Sequence, residues 1–126
     1  MGIRGFGRTK EEAFAQAALA ITAIITDPQT VEPKESVEIT CREQEDDLLL
    51  FDWLNALLYE MATRHVLFSR YDITIAGEQL KATAWGESID IARHQPAVEV
   101  KAATFADLKV RREKDGNWVA QCIVDV

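Results

Sequence analysis

The sequence predicts a two-layer α+β fold in which a largely antiparallel mixed β-sheet is packed by two amphipathic helices. Two segments repeat apolar residues at three-to-four-residue intervals, and about seven others, five of them after the second helix, alternate apolar and polar residues with a period of two. The helical segments lie in the first half and the strands crowd the second. Such segregation favours hairpins over crossover units, and hence antiparallel pairing.

The elements follow in order. Ile3-Arg4-Gly5-Phe6-Gly7 alternates like a strand almost from the first residue. Thr9, with Glu12 three residues on, has the spacing of a capping box and opens a helix. Phe14, Ala17, Ala18, Ile21, Ile24 and Ile25 form its apolar stripe, and Asp27-Pro28 ends it, so the helix covers roughly 10–26. After a loop with Pro28 and Pro33, Val37, Ile39 and Cys41 alternate with Glu38, Thr40 and Arg42, a strand with one buried face. Asp46 and Asp47 put negative charge at the start of a second helix, whose stripe is Leu50, Trp53, Leu54, Leu57, Leu58 and Met61. Tyr71, Ile73 and Ile75 turn through Gly77-Glu78 into Leu80, Ala82 and Ala84, which reads as a hairpin. A polar loop is expected from Gly86 to Pro96. Val98, Val100 and Ala102 then alternate. Leu108 and Val110 lead through Lys114-Asp115-Gly116-Asn117 into a last strand bearing Trp118, Ala120, Cys122 and Val124.

A chain of 126 residues with 48% hydrophobic and 28% charged content can bury a core without metal or disulfide staples, so one domain over 1–126 is expected. The net charge of -7 disfavours a surface built along phosphate backbones and favours a basic protein partner or a cation. Cys41 and Cys122 lie far apart in apolar strands and are expected as reduced, packed side chains. No secretory signal and no apolar run of membrane-spanning length is present, which points to a cytoplasmic setting.

The search for catalytic chemistry returns mostly negatives. Gly2, Gly5 and Gly7 make a glycine run before a helix but lack the G-K-[ST] ending of a phosphate loop; close packing against that helix is the plainer reading. His65 and His94 are the only histidines, and neither has zinc-ligand spacing. Ser69 and Ser88 stand in no nucleophile elbow. The segment Trp85-Gly86-Glu87-Ser88-Ile89-Asp90-Ile91-Ala92-Arg93-His94 gathers two carboxylates, a guanidinium, an imidazole and an indole. It reads either as a functional loop or as a solvated connection with weak surface ion pairs.

The run Trp85-Gly86-Glu87, Asp90, Arg93-His94, then Val100-Lys101-Ala102 and Trp118, Ile123, Asp125 and Val126 resembles the archease signature. The resemblance extends over Thr9-Lys10-Glu11-Glu12-Ala13-Phe14, Thr26-Asp27, Trp53-Leu54-Asn55 and Leu57-Leu58-Tyr59, so it spans essentially the whole chain. It implies an accessory protein without its own catalytic centre that activates an RNA-splicing ligase. That activation promotes guanylylation of the ligase's histidine and multiple turnover in tRNA splicing or RNA repair. GTP is handled by the ligase, and RNA is reached only through it. The resemblance also marks Trp85, Gly86, Glu87, Asp90, Arg93, His94 and Lys101 as the partner-facing or activation loop. The alternative from composition alone is an acidic protein-binding or chaperone-like module with no role in guanylylation.

The family resemblance further implies a divalent-metal site of oxygen ligands, suited to Ca²⁺, Mg²⁺ or Mn²⁺. Asp125 and the carboxylate of Val126 are its candidates here. The family's His-Thr-Ala-Asp segment should precede Ile3, where Met1-Gly2 stands instead; a late start or a truncation is the expected reason, ahead of true divergence. Ala106 also stands where many members carry a histidine.

Overall fold

The computed structural model describes residues 1–126. In chain order the elements are β1 (Gly2–Gly7), α1 (Lys10–Ile25), a single 3-10 turn (Pro28–Thr30), β2 (Glu35–Arg42), α2 (Asp46–Arg64), β3 (Val66–Ala76), β4 (Gln79–Ser88), α3 (Ile91–His94), β5 (Ala102–Ala103), β6 (Lys109–Arg112) and β7 (Trp118–Asp125). The fold is α+β, as the segregated pattern predicts. The strands divide between two sheets rather than forming one, and every pairing is antiparallel. One sheet has the order β2-β4-β3. In the other, β7 lies between β1 on one edge and β5 and β6, placed end to end, on the opposite edge.

Both helices begin where their signals stand. Thr9 Oγ1 accepts a hydrogen bond from the Glu12 N–H at 3.1 Å, satisfying one donor that a helix start leaves orphaned. Asp47 does more than complement the dipole: its Oδ1 accepts from the Val110 N–H at 2.8 Å, tying α2 to β6. The stripes become the core. Phe14, Ala17, Ala18 and Ile21 of α1 and Leu50, Trp53, Leu54 and Leu57 of α2 are buried, and full burial of an aliphatic side chain such as Leu54 contributes about 1.5–3 kcal/mol. Trp53 Nε1 donates to the Phe14 carbonyl at 3.1 Å, so the largest core side chain also locks the two helices together.

The glycines of β1 make this packing possible. A Cβ on Gly5 would lie 2.3 Å from the Ala17 nitrogen and 2.4 Å from the Ala13 oxygen, so α1 rests directly on the strand backbone. The glycine run thus serves close packing, while Arg4 and Phe6 point to the opposite, exposed face. The β3–β4 hairpin closes through the two residues Gly77 and Glu78, with Gly77 at φ +59°.

The structure departs from the sequence pattern in two further places. Val98 and Val100 do not form a strand; only Ala102 and Ala103 pair with β7. The expected loop from Gly86 to Pro96 is shorter, because β4 runs through Ser88 and α3 occupies Ile91–His94. Alternation could not signal the end of β4, because Gly86 and Glu87 are both buried. No helix is long and apolar enough to cross a membrane.

Candidate functional site

The chemistry-bearing segment starts at the end of β4. Gly86 is required there: a Cβ would fall 1.8 Å from the Leu67 carbonyl oxygen, where the β3 backbone crowds in beside a bulge between Phe68 and Arg70. Trp85 is half-buried in the strand with the Arg70 guanidinium 4.9 Å from its ring centre. One residue beyond the glycine, Glu87 is only 5% exposed.

A buried carboxylate must find donors, and three converge on Glu87. Oε2 accepts from the Glu32 N–H at 2.7 Å, and Oε1 from Arg93 Nη2 at 2.5 Å. His94 Nε2 lies 3.1 Å from Oε2. His94 Nδ1 accepts from the Asp90 N–H at 2.9 Å, which assigns the neutral tautomer with its proton on Nε2, donated to Glu87. The imidazole is wholly enclosed, whereas the Arg93 side chain is 41% exposed.

The spacing of these residues has a local cause. Asp90 caps the single turn α3, its Oδ1 accepting from the Ala92 and Arg93 N–H groups at 3.1 and 3.3 Å. Residues three and four positions on return to the same side of a helical turn, so Arg93 and His94 both reach back to Glu87. Arg93 Nη1 also donates to the Thr30 carbonyl, and Thr26 Oγ1 to the His94 carbonyl. The cluster therefore staples three segments: the chain after α1, the end of β4, and α3. The reading of Glu87, Asp90 and Arg93 as weak surface pairs is corrected by this geometry.

Electrostatics follow from the contacts. The bond from Arg93 holds the Glu87 carboxyl at about 2, with the Glu32 and His94 bonds assisting against the opposing effect of burial. Glu87 in turn raises the pKa of Arg93. A carboxylate held so low is a poor general base near neutral pH, so the cluster suits positioning rather than proton transfer. Outside it lies an open depression of about 730 Å³, lined in part by Lys34, Asp90 and Arg93. Beside α3 runs an apolar groove of about 710 Å³, with Ile25, Leu58, Met61, Ile89, Ile91 and Val98 in its walls.

The remaining site candidates lie elsewhere. The Lys101 side chain is exposed, and its backbone N–H donates to the Asp125 carbonyl at 2.8 Å. Asp125 and Val126 are exposed at the end of β7. No three His, Cys, Asp or Glu side chains come together anywhere in the chain. Calcium takes six to eight oxygens and magnesium a full octahedron, so Asp125 and Val126 alone do not fit such an ion.

Sequence reasoning missed Thr30, Glu32 and Lys34, whose backbone or side chains meet the cluster, and Asn55. The Asn55 amide accepts from the Ala103 N–H at 2.9 Å and donates to the Ala103 carbonyl at 3.4 Å, standing in for a strand partner at β5. These residues are distant in sequence from the groups they meet, and Thr30 and Glu32 act through backbone groups, which leave no residue-type signal.

Fold and site together define a two-sheet α+β domain whose polar residues brace a surface turn. A family model described as the archease protein family matches residues 1–126. The chain belongs to the archease family. It is 37% identical over 130 residues to the protein archease of Thermococcus gammatolerans, covering 100% of this chain and 92% of the relative. It is likewise 37% identical over 127 residues to that of Methanopyrus kandleri, covering 98% and 90%. The solution structure of a Methanobacterium thermoautotrophicum protein superposes with a TM-score of 0.86 at 33% identity, over 99% of this chain and 91% of that one. A Thermotoga maritima crystal structure, an archease described as a possible chaperone, matches in fold with a TM-score of 0.66 at 21% identity, over 100% and 90% of the two chains.

Proposed function

We propose that the chain is a cytoplasmic accessory protein that activates an RNA-splicing ligase, promoting guanylylation of the ligase and its multiple turnover in tRNA splicing or RNA repair. GTP stays with the ligase. The observation that carries this reading is the Glu87–Arg93–His94 brace: the family's motif residues are saturated by one another and hold a turn in place, which suits presenting a surface to a protein partner. The apolar groove beside that turn and the net charge of -7 favour an apolar contact flanked by basic groups on the partner.

The test is a ligation assay with the cognate ligase, GTP and Mn²⁺. Adding this protein is expected to carry product well past one equivalent per ligase, and Arg93→Ala to reduce that gain. Product that stops at one equivalent would overturn the activator reading and leave an acidic, chaperone-like binding module.

A further inference from the structure

β2 is the outermost strand of its sheet, in the order β2-β4-β3. The Glu43 N–H donates to the Glu78 carbonyl at 3.0 Å, and the register counted back from that pair makes Cys41, Ile39 and Val37 the residues bonded to β4. Ser36, Glu38, Thr40 and Arg42 therefore turn their N–H and C=O groups away from β4, and no bond from a loop or cap reaches those four N–H groups. All four residues are exposed, and the strand is eight residues long with no proline and no break in register. The other edge of the sheet, β3, is interrupted by its bulge beside Ser69, a feature that blunts an edge against pairing.

Charge singles out the same strand. Residues 32–47 hold seven acids and two bases, a net charge of -5 out of the chain's -7. Asp46 and Asp47 are engaged by Lys10 and by the Val110 N–H, but Glu35, Glu38 and Glu43 form no ion pair. Glu38 stands on the outer face in one row with Thr83 and Asp72. Of the two cations nearby, Arg42 is held by Glu78 at 4.0 Å, and Lys81 lies opposite Thr40. Just past the strand, Asp52 is hydrogen-bonded to Glu43 and raises its carboxyl above the usual range. Two carboxyls pressed together without an ion pair to either favour a cation arriving from outside.

From this we infer that β2 takes up an extended segment of a protein partner as an added strand, one that alternates Lys or Arg with apolar residues. A row of outward N–H and C=O groups is matched by another extended polypeptide, and strand addition to a free edge is a recurrent mode of peptide recognition. Successive side chains of the added strand fall on opposite faces. Its cations lie beside Glu38 on the outer face, and its apolar residues lie beside the half-buried Val37 on the inner one. A nucleic acid brings phosphates to a strand that repels them. A second copy of the chain brings the same net -5 to the edge, and charged edges of like sign keep copies apart. The inference rests on the accessory-protein reading only in taking the partner to be a protein.

The measurement is fluorescence anisotropy of a labelled peptide of alternating Lys and Val, eight residues long to match β2, with no ligase present. At about 50 mM salt, where charge is weakly screened, the intact chain is expected to bind it saturably. The same peptide N-methylated at every residue keeps its charge but cannot donate to an edge, and should bind about tenfold more weakly or worse. Glu38→Lys, an exposed change, should weaken binding about fivefold with the melting temperature preserved. Thr40→Pro removes an outward N–H that β4 does not use and should weaken binding to a similar degree; if that variant fails to fold, the N-methylated peptide puts the same question to the intact chain. No saturable binding, an N-methylated peptide that binds within about twofold of the parent, or a Glu38→Lys chain that binds as tightly as the original would each overturn the proposal. So would sedimentation showing the chain alone as a dimer that Glu38→Lys or Thr40→Pro dissociates, since a second copy would then own the edge. Because no ligase is present, failure here leaves the activator reading untouched.

Discussion

Replacing Glu87 by glutamine strikes the brace with the least change of shape. Glutamine keeps the side-chain length, removes the charge and converts one acceptor into a donor. With the new amide nitrogen at the Oε1 position, the Glu32 and His94 donors keep an oxygen and Arg93 faces another donor; the reverse orientation would leave both the Glu32 N–H and the enclosed His94 ring without an acceptor. Arg93, being 41% exposed, recovers water. Hydrogen bonds to a charged partner contribute roughly 1.5–3 kcal/mol each, so the loss of one, with partial recovery of the others, amounts to about 2–3 kcal/mol. Unfolding entropy of roughly 2.1 cal/mol/K per residue makes 1 kcal/mol worth about 4 °C in a chain of this length, which places the fall in Tm at about 8–12 °C. Calorimetry or thermal circular dichroism at neutral pH reads this directly. The pH dependence gives a second reading. The fold holds Glu87 at about 2, below its usual 4.5, so the folded state binds that proton more weakly than the unfolded chain. Its stabilisation is complete above the usual carboxylate range and disappears as pH falls from about 5 towards 2. The gap between the native chain and Glu87→Gln should therefore be widest near neutrality and close on acidification. Equal melting at neutral pH, or a gap that persists unchanged to about pH 3, would refute the brace.

Two further outcomes follow from packing and exposure. Gly5→Ala forces α1 away from β1, since the new Cβ would meet the Ala13 and Ala17 backbone at 2.4 and 2.3 Å; a destabilisation of about 3 kcal/mol is expected in denaturant unfolding, and a cost below about 1 kcal/mol would show that the helix slides freely. Asp125→Ala, at an exposed position with no ion pair, should shift stability by less than about 0.5 kcal/mol. Calorimetric titration with Ca²⁺ or Mn²⁺ should find binding weaker than about 0.1 mM in both chains; tight binding lost on substitution would restore Asp125 as a ligand.

The helices were legible because their causes are local. A cap at Thr9, acids at Asp46 and Asp47, and stripes through Phe14 and Trp53 act within a few residues, and the same holds for the hairpin turn at Gly77. The division into two sheets was not legible, because alternation reports which face of a strand is buried and not which strand lies beside it. β7 shows the limit most clearly: Val119, Ala120, Gln121 and Cys122 are buried in succession, because α1 covers one face and the Arg4, Phe6 and Arg111 rows shade the other. Glu87 was misread for a related reason. A glutamate after a glycine looks like solvent-exposed loop, and its burial depends on a backbone donor at Glu32 that lies 55 residues away.

Once that contact is known, the motif's spacing explains itself and bears on function. Asp90 starts the turn, and Arg93 and His94 stand one turn later because only there can both reach a carboxylate at the end of β4. Residues between these fixed points are the ones left to the outside: Ile89 is 36% exposed and Ile91 76%. A brace of charged bonds is therefore holding two apolar side chains at a defined place on the rim of the groove. Apolar groups presented rigidly bind a partner with less entropy to lose than the same groups on a free loop. On the activator function proposed above, mutations within the brace should for that reason lower ligase activation even at residues that make no contact with the partner.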